Sequence, residues 1–171
     1  MRVAIISDTH GVLDPRVRDE IAGADVIVHA GDIVGQHVLD ELARIGDRVV
    51  AVRGNNDIPK KWKRDLGKLK QLPAIAELDL PGGKVVVVHG DKLMPAKTRH
   101  EKLRRKHGDA RAVIVGHSHW LAIDRDADPW ILNPGAAGRD RTHGGPSCLI
   151  LDATDRRWTV KAKKFSTPRS L

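Results

Sequence analysis

The sequence predicts a mixed α/β sandwich in which helices cover packed β-sheets. Three observations predict it. Short apolar, β-branched runs recur along the whole chain. Helical patterns separate these runs in the first half, whereas the second half is mostly strands. The triplet PGG at 81 to 83 reads as the turn of a hairpin between two of the runs.

Strands are expected at 2 to 6 (RVAII), 25 to 29 (DVIVH), 48 to 52 (RVVAV), 74 to 80 (AIAELDL), 84 to 89 (KVVVVH) and 111 to 115 (RAVIV). Further strands are expected at 121 to 124, 130 to 133, 147 to 152 and 157 to 163. Asp14 followed by Pro15 supplies a cap and a first helical residue for a helix over 15 to 22. HVLDELARI, 37 to 45, is amphipathic and stops at Gly46. Residues 95 to 107 read as a basic helix that ends at Gly108.

At 171 residues, 40% of them hydrophobic, the chain can bury a real core, and one domain is expected over 1 to 165 with a loose tail at 166 to 171. No apolar stretch is long enough to span a membrane, and a strand-like run opens the chain where a signal core would stand. The cytoplasm is therefore the expected compartment. A single cysteine, Cys148, excludes an intrachain disulfide and a cysteine-based zinc site. Any metal site must be built from His, Asp and Asn. The formal charge of +8 favours anionic partners: phosphate esters, nucleotides or nucleic acid. With no tyrosine and one phenylalanine, the aromatic platforms of single-strand binders are scarce.

The informative residues stand just past the carboxyl ends of the strands. RVAII is followed by Asp8 and His10, DVIVH by Asp32, and RVVAV by Asn55 and Asn56 in RGNND. KVVVV ends in His89, and RAVIV is followed by His117 and His119. Open α/β sheets bind ligands at that end. Each residue alone has a plainer reading: Asp-X-His as a helix cap with a surface histidine, His89 as a satisfied core histidine, RGNND as a turn. One metal site accounts for all of them together. A carboxylate shared between two cations offsets their repulsion, and Asp32 is the candidate bridge. Imidazole and carboxylate donors suit Mn, Fe, Zn, Ni or Co better than Ca. Such a pair acidifies a bound water and clamps a phosphoryl group during in-line displacement.

The ordered set DTH, GD, GNND, HG and GHSH resembles the calcineurin-like metallophosphoesterases, and is most similar to their small prokaryotic phosphodiesterase branch. The resemblance runs from Val3 to about Gly135 and includes NPG at 133 to 135. It implies a four-layer αββα sandwich of two mixed β-sheets flanked by helices, α/β (α+β) in class, with the metals at the sheet edge. It implies that Asp8, His10, Asp32 and His119 hold one divalent transition ion, Mn first among the candidates. It implies that Asp32, Asn55, His89 and His117 hold a second, with a bridging hydroxide as nucleophile. In this reading Gly54 lets the backbone approach closely, and Asp57 caps the turn or orients Asn55.

Asn56 departs from the pattern. Relatives that cleave phosphomonoesters typically carry a histidine there to protonate the leaving group. An asparagine can donate a hydrogen bond to a phosphate oxygen but cannot act as a general acid. Phosphodiesters or activated esters are therefore the expected substrates, with nucleotides and nucleic acid among the candidates. Ala136 stands where relatives often have serine after NPG, and no role is assigned to Arg139 or Arg141. The basic clusters at 60 to 70 and 97 to 107 read either as substrate-gathering surfaces or as solvated helix faces. Trp62 and Trp120 could each line the site or be buried. Homo-oligomerisation stays open. The alternatives to a diesterase are a phosphomonoesterase and a protein-interaction scaffold on the same fold, as in the retromer scaffold subunit. Scaffold relatives lose ligand residues, and here no ligand position is missing.

Overall fold

In the computed structural model, which describes residues 1–62, 66–93, 96–139 and 141–167, the first strand, β1 (Arg2–Ile6), shows how the layers arise. Side chains of a strand alternate between its two faces. Val3 and Ile5 enter one apolar cluster and Ala4 and Ile6 another, all fully buried. A strand buried on both faces must be apolar throughout, which is why RVAII is a continuous run and not an alternating one.

One sheet has the order β10 (Trp158–Lys164), β9 (Ser147–Ala153), β1, β2 (Val26–His29), β3 (Val49–Ala51). The other has the order β4 (Ile75–Leu80), β5 (Gly83–Val88), β6 (Ala112–Val115), β8 (Trp130–Pro134), β7 (Leu121–Asp124). Both are mixed. The segments β1-β2-β3 and β5-β6-β8 are parallel, and antiparallel partners flank them. The sheets face one another across Val3, Ile5, Val28, Val85, Val87 and Ile114. The outer face of the first is covered by α1 (Pro15–Ile21) and α2 (Gln36–Ile45) through Val17, Ile21, Val38 and Leu42. The outer face of the second is covered by α5 (Arg99–Lys106) through Leu103. The architecture is the α+β, four-layer αββα sandwich expected.

Local signals act as read. Asp14 caps α1 by accepting the N–H of Arg16 at 2.9 Å, with Pro15 at the first turn. Pro81 and Gly82 form the tip of the β4–β5 hairpin, whose register pairs Leu80 with Gly83. The basic helix is shorter than 95 to 107: a 3-10 turn, Ala96–Thr98, precedes α5. Residue 95 lies outside the described residues, as do 63 to 65 of the first basic cluster and 168 to 171 of the expected tail. That first cluster holds two short helices, α3 (Pro59–Trp62) and α4 (Leu66–Gln71), not assigned from the sequence. Each is too short to show a periodic face, and each contributes one core anchor, Trp62 and Leu69.

Candidate metal centre

The loops that follow β1, β2, β3, β5 and β6 meet at one place. Asp8 Oδ2 accepts the backbone N–H of His117 at 3.0 Å, which ties the first sheet's loop to the second's. The His89 ring, from the second sheet, lies 2.8 Å through Nδ1 from the Ala30 carbonyl of the first. Two glycines make these approaches possible. A Cβ on Gly54 would lie 2.3 Å from Asp32, and one on Gly116 would lie 2.1 Å from Ser7 Oγ.

All seven side chains expected as ligands gather here. Asp8 Oδ1 is 3.2 Å from His119 Nε2 and 4.0 Å from His10 Nε2. The Nε2 atoms of His10 and His119 are 3.3 Å apart. Asp32 stands between the two halves: its Oδ2 is 3.9 Å from His10 Nε2 and its Oδ1 is 3.4 Å from His89 Nε2. The amide oxygen of Asn55 is 3.0 Å from both His89 Nε2 and His117 Nδ1. Ligand atoms of Asp8, His10 and His119 lie within 4.8 Å of one another, and so do those of Asp8, Asp32 and His89.

These residues fit a divalent ion. Asp8 Oδ1 is buried and has no hydrogen-bond partner among the described residues, a costly condition for a carboxylate oxygen unless a cation satisfies it. The outer nitrogens are fixed by carbonyls. His89 Nδ1 meets the Ala30 oxygen, and His119 Nδ1 meets the Arg141 oxygen at 3.1 Å. A carbonyl only accepts, so Nδ1 carries a proton in both rings, and in the neutral ring Nε2 is the atom with a lone pair to offer a cation. Oxygen and nitrogen donors without sulfur suit a transition ion of borderline hardness.

The electrostatics agree. Burial raises the Asp32 pKa, but hydrogen bonds from His89 and Asn56 and the charge of His89 outweigh it and hold the carboxyl well below its usual range. Burial lowers the His89 pKa, but the hydrogen bond and charge of Asp32 overcome it and carry it up to about 9. His119 is raised first by the Asp8 carboxylate, 3.2 Å from its Nε2. His10 and His117 are lowered, chiefly by burial. The cluster attracts positive charge toward its two carboxylates.

The surrounding residues position it. Asp57 is buried and accepts N–H groups from Val34 (2.8 Å), Gly54 (2.8 Å) and the Trp62 indole (3.0 Å). It thereby ties the loops after β2 and β3 together, and Trp62 packs beneath them at 4% exposure. Asn56 donates to both Asp32 oxygens, from its backbone N at 2.7 Å and from Nδ2 at 2.5 Å, and Lys61 donates to its Oδ1. His29, at the end of β2, is a satisfied core histidine. Its Nδ1 accepts from Gly31, its Nε2 meets Thr9 Oγ1 at 3.0 Å, and burial pushes its pKa down to about 4.

Sequence reasoning missed two residues here. Asn133 of NPG donates to the Gly116 carbonyl at 3.1 Å and to Ser118 Oγ at 3.0 Å, so it holds the GHSH loop. A lone amide inside the apolar strand WILNP was the signal. Arg141 Nη2 reaches His10 Nε2 at 3.0 Å, and nothing in the local sequence announces that contact. Of the basic clusters, Lys61 reaches the centre through Asn56, and Lys106 lines a cavity of about 240 Å³ beside Asn55 and His89. Trp120 is 61% exposed and stacks on His143.

A two-sheet sandwich carrying an Asp, His and Asn cluster at its strand ends defines a candidate metal-dependent hydrolase. The sequence model of the calcineurin-like phosphoesterase superfamily domain matches residues 1–156, and the chain belongs to that family of metallophosphoesterases. It is 34% identical over 142 residues to a protein of Methanocaldococcus jannaschii named a probable metallophosphoesterase, covering 80% of this chain and 68% of that one. It is 26% identical over 170 residues to a protein of the same organism named a phosphodiesterase, covering 92% and 96%. Among solved structures, Vps29 of Entamoeba histolytica complexed with zinc superposes with a TM-score of 0.77 at 19% identity, covering 98% and 99%. An archaeal phosphodiesterase superposes with a TM-score of 0.71 at 23% identity, covering 95% and 100%. At those identities the superpositions speak for the fold alone. Among the described residues, no helix is long and apolar enough to cross a membrane.

Proposed function

We propose that the chain is a phosphodiesterase with a dinuclear metal centre, acting by in-line displacement at phosphorus with water as the attacking group. The observation that carries this reading is the position of Asp32, whose two oxygens face His10 on one side and His89 on the other. In the proposed assignment Asp8, His10, Asp32 and His119 hold one ion, and Asp32, Asn55, His89 and His117 hold the other. Bound divalent ions supply an acidified water and positive charge for the phosphoryl oxygens. The chain's residues hold that arrangement ready. Asp32 stays ionised, the Ala30 and Arg141 carbonyls keep two imidazoles in one tautomer, and Asn55 adds a neutral donor that does not overcharge its site.

The substrate class follows from Asn56. Its amide steadies Asp32 and can also donate to a phosphate oxygen, but it has no proton to give an alkoxide leaving group. The family relative named a phosphodiesterase, matched over 92% of this chain, supports the same reading.

The test is an assay of metal-stripped protein with manganese on bis(p-nitrophenyl) phosphate and p-nitrophenyl phosphate, alongside Asp32→Asn. Diester cleavage well above monoester cleavage, lost in the variant together with bound metal, is expected. Preferential monoester cleavage would discard the account of Asn56 and leave the centre standing. No cleavage with manganese, nickel, cobalt or zinc would put the scaffold reading in its place.

A further inference from the structure

The phosphodiesterase reading leaves Arg141 and Trp120 without work, and their geometry points to a substrate cradle: Arg141 grips a phosphoryl oxygen, and Trp120 stacks on a flat, uncharged ring carried by one ester arm, such as a nucleoside. This inference rests on that reading and deepens it. Three observations support it.

The first is a conflict over one lone pair. Arg141 Nη2 donates to His10 Nε2 at 3.0 Å. A guanidinium has only donors, and an imidazole nitrogen has one lone pair. His10 Nε2 serves either Arg141 or a cation, not both. Once a cation takes it, the guanidinium loses its acceptor while its backbone oxygen keeps its contact with His119 Nδ1. The group is then a cation beside the cluster with no other acceptor among the described residues, and a phosphoryl oxygen matches its planar fork.

The second is backbone strain. Among the described residues other than glycine, left-handed φ occurs at Asp8, His10, Asp32, His117 and His119, all candidate ligands. It also occurs at Val34, which binds Asp57, and at Arg141, with φ of 54°. Such conformations cost energy and persist where the surroundings impose them, commonly at functional sites. Arg141 shares the conformation of five of the seven candidate ligands without being one.

The third is an open aromatic face beside the same loop. Trp120 follows His119, and its ring lies parallel to His143 at 3.9 Å between centroids, tilted by 8°. With one face backed by His143 and 61% of the residue exposed, the indole has exposed surface to offer a second ring. An open cleft of about 410 Å³ is lined by His117, Ser118, His119, Arg141, Thr142 and His143. None of these described residues is acidic, which suits an anionic ester. It adjoins both halves of the cluster through His117 and His119, and its volume suits one organic arm.

The test compares two diesters with the same leaving group: the p-nitrophenyl ester of thymidine 5′-monophosphate and methyl p-nitrophenyl phosphate. Manganese-loaded wild type, Trp120→Ala, Arg141→Met and Arg141→Lys are assayed, with metal content and melting temperature checked for each. Wild type should prefer the thymidine ester, through KM, and Trp120→Ala should cut that preference about tenfold. Arg141→Met should raise KM for both esters about tenfold or more, with partial rescue in Arg141→Lys. A preference within twofold of wild type in Trp120→Ala, or unchanged KM in Arg141→Met, overturns the cradle.

If wild type cleaves neither ester, the phosphodiesterase reading falls, and binding decides the cradle separately. Thymidine 5′-monophosphate should quench tryptophan fluorescence in wild type and not in Trp120→Ala. Calorimetry should show inorganic phosphate bound more weakly by Arg141→Met. Absence of both effects rejects the inference.

Discussion

The Nε2 atoms of His10 and His119 face each other at 3.3 Å, although the two residues are 109 positions apart in sequence. Two inward lone pairs at that distance repel unless a proton or a cation lies between them and the Asp8 carboxylate. The expected consequence is strong coupling between metal and stability. Metal-stripped protein titrated with manganese should melt higher. At one hundred times the dissociation constant the gain is about 2.7 kcal/mol, or roughly 5–10 °C for a chain of this size. Elemental analysis should find two ions per wild-type chain and fewer in His10→Ala and His119→Ala. A melting temperature indifferent to manganese would remove the metal centre.

Asn56 sets up a sharper prediction about substrate. Its Nδ2 lies 2.5 Å from Asp32 Oδ2, so a side chain at position 56 stands beside the proposed bridge. Asn56→His would put a titratable donor there. The effect should show on a poor leaving group, because p-nitrophenolate needs little protonation. Phosphate release from glycerol 2-phosphate should rise about 100-fold or more relative to bis(p-nitrophenyl) phosphate cleavage, within the usual worth of general acid catalysis. An unchanged ratio would mean that position 56 does not control substrate class.

How far the sequence carried can be seen in particular residues. β1, β2, β5 and β6 were legible because strands buried on both faces need continuous apolar runs, and the residue after each run had to be a loop residue. The gathering of Asp8, Asp32, Asn55, His89 and His117 followed, since parallel strands bring their carboxyl ends to one edge. Arg141 was not legible. It follows the strands by several residues, and its contact with His10 depends on a loop path that no periodicity encodes. Trp62 and Trp120 look alike in sequence, yet one is 4% and the other 61% exposed. What separates them is the partner each indole finds among the described residues: Asp57 for Trp62, and the face of His143 for Trp120.

Asp57 should prove a large contributor to stability without touching the chemistry. It accepts three N–H groups, from Val34, Gly54 and Trp62, and is 2% exposed. Asp57→Ala leaves all three unpaired, and one such orphan costs about 1–3 kcal/mol. Allowing for relaxation, a loss of roughly 3 kcal/mol or more in urea unfolding is expected. Asp57→Asn keeps one acceptor oxygen and should lose less. A loss under about 0.5 kcal/mol for Asp57→Ala would mean that water replaces the carboxylate.

The edge of the second sheet should respond to pH. Asp124 ends β7, the edge strand, and accepts from Arg104 and His100 of α5, each at 2.6 Å. The Arg104 hydrogen bond foremost, against the opposing effect of burial and with the help of His100, holds the Asp124 pKa down to about 2. An unfolded aspartate titrates near about 3.9. Because the folded value is the lower one, the contribution is fully present above the unfolded pKa and is lost as pH falls through the folded one. The window is therefore about pH 4 down to about 2. The pair is partly exposed, so solvent screening limits its worth to about 1 kcal/mol. Asp124→Asn should lower stability by that amount at pH 5 to 7, and the gap to wild type should close toward pH 2. A gap that stays constant down to pH 2 would mean that packing, and not the charge on Asp124, anchors α5 to the strand.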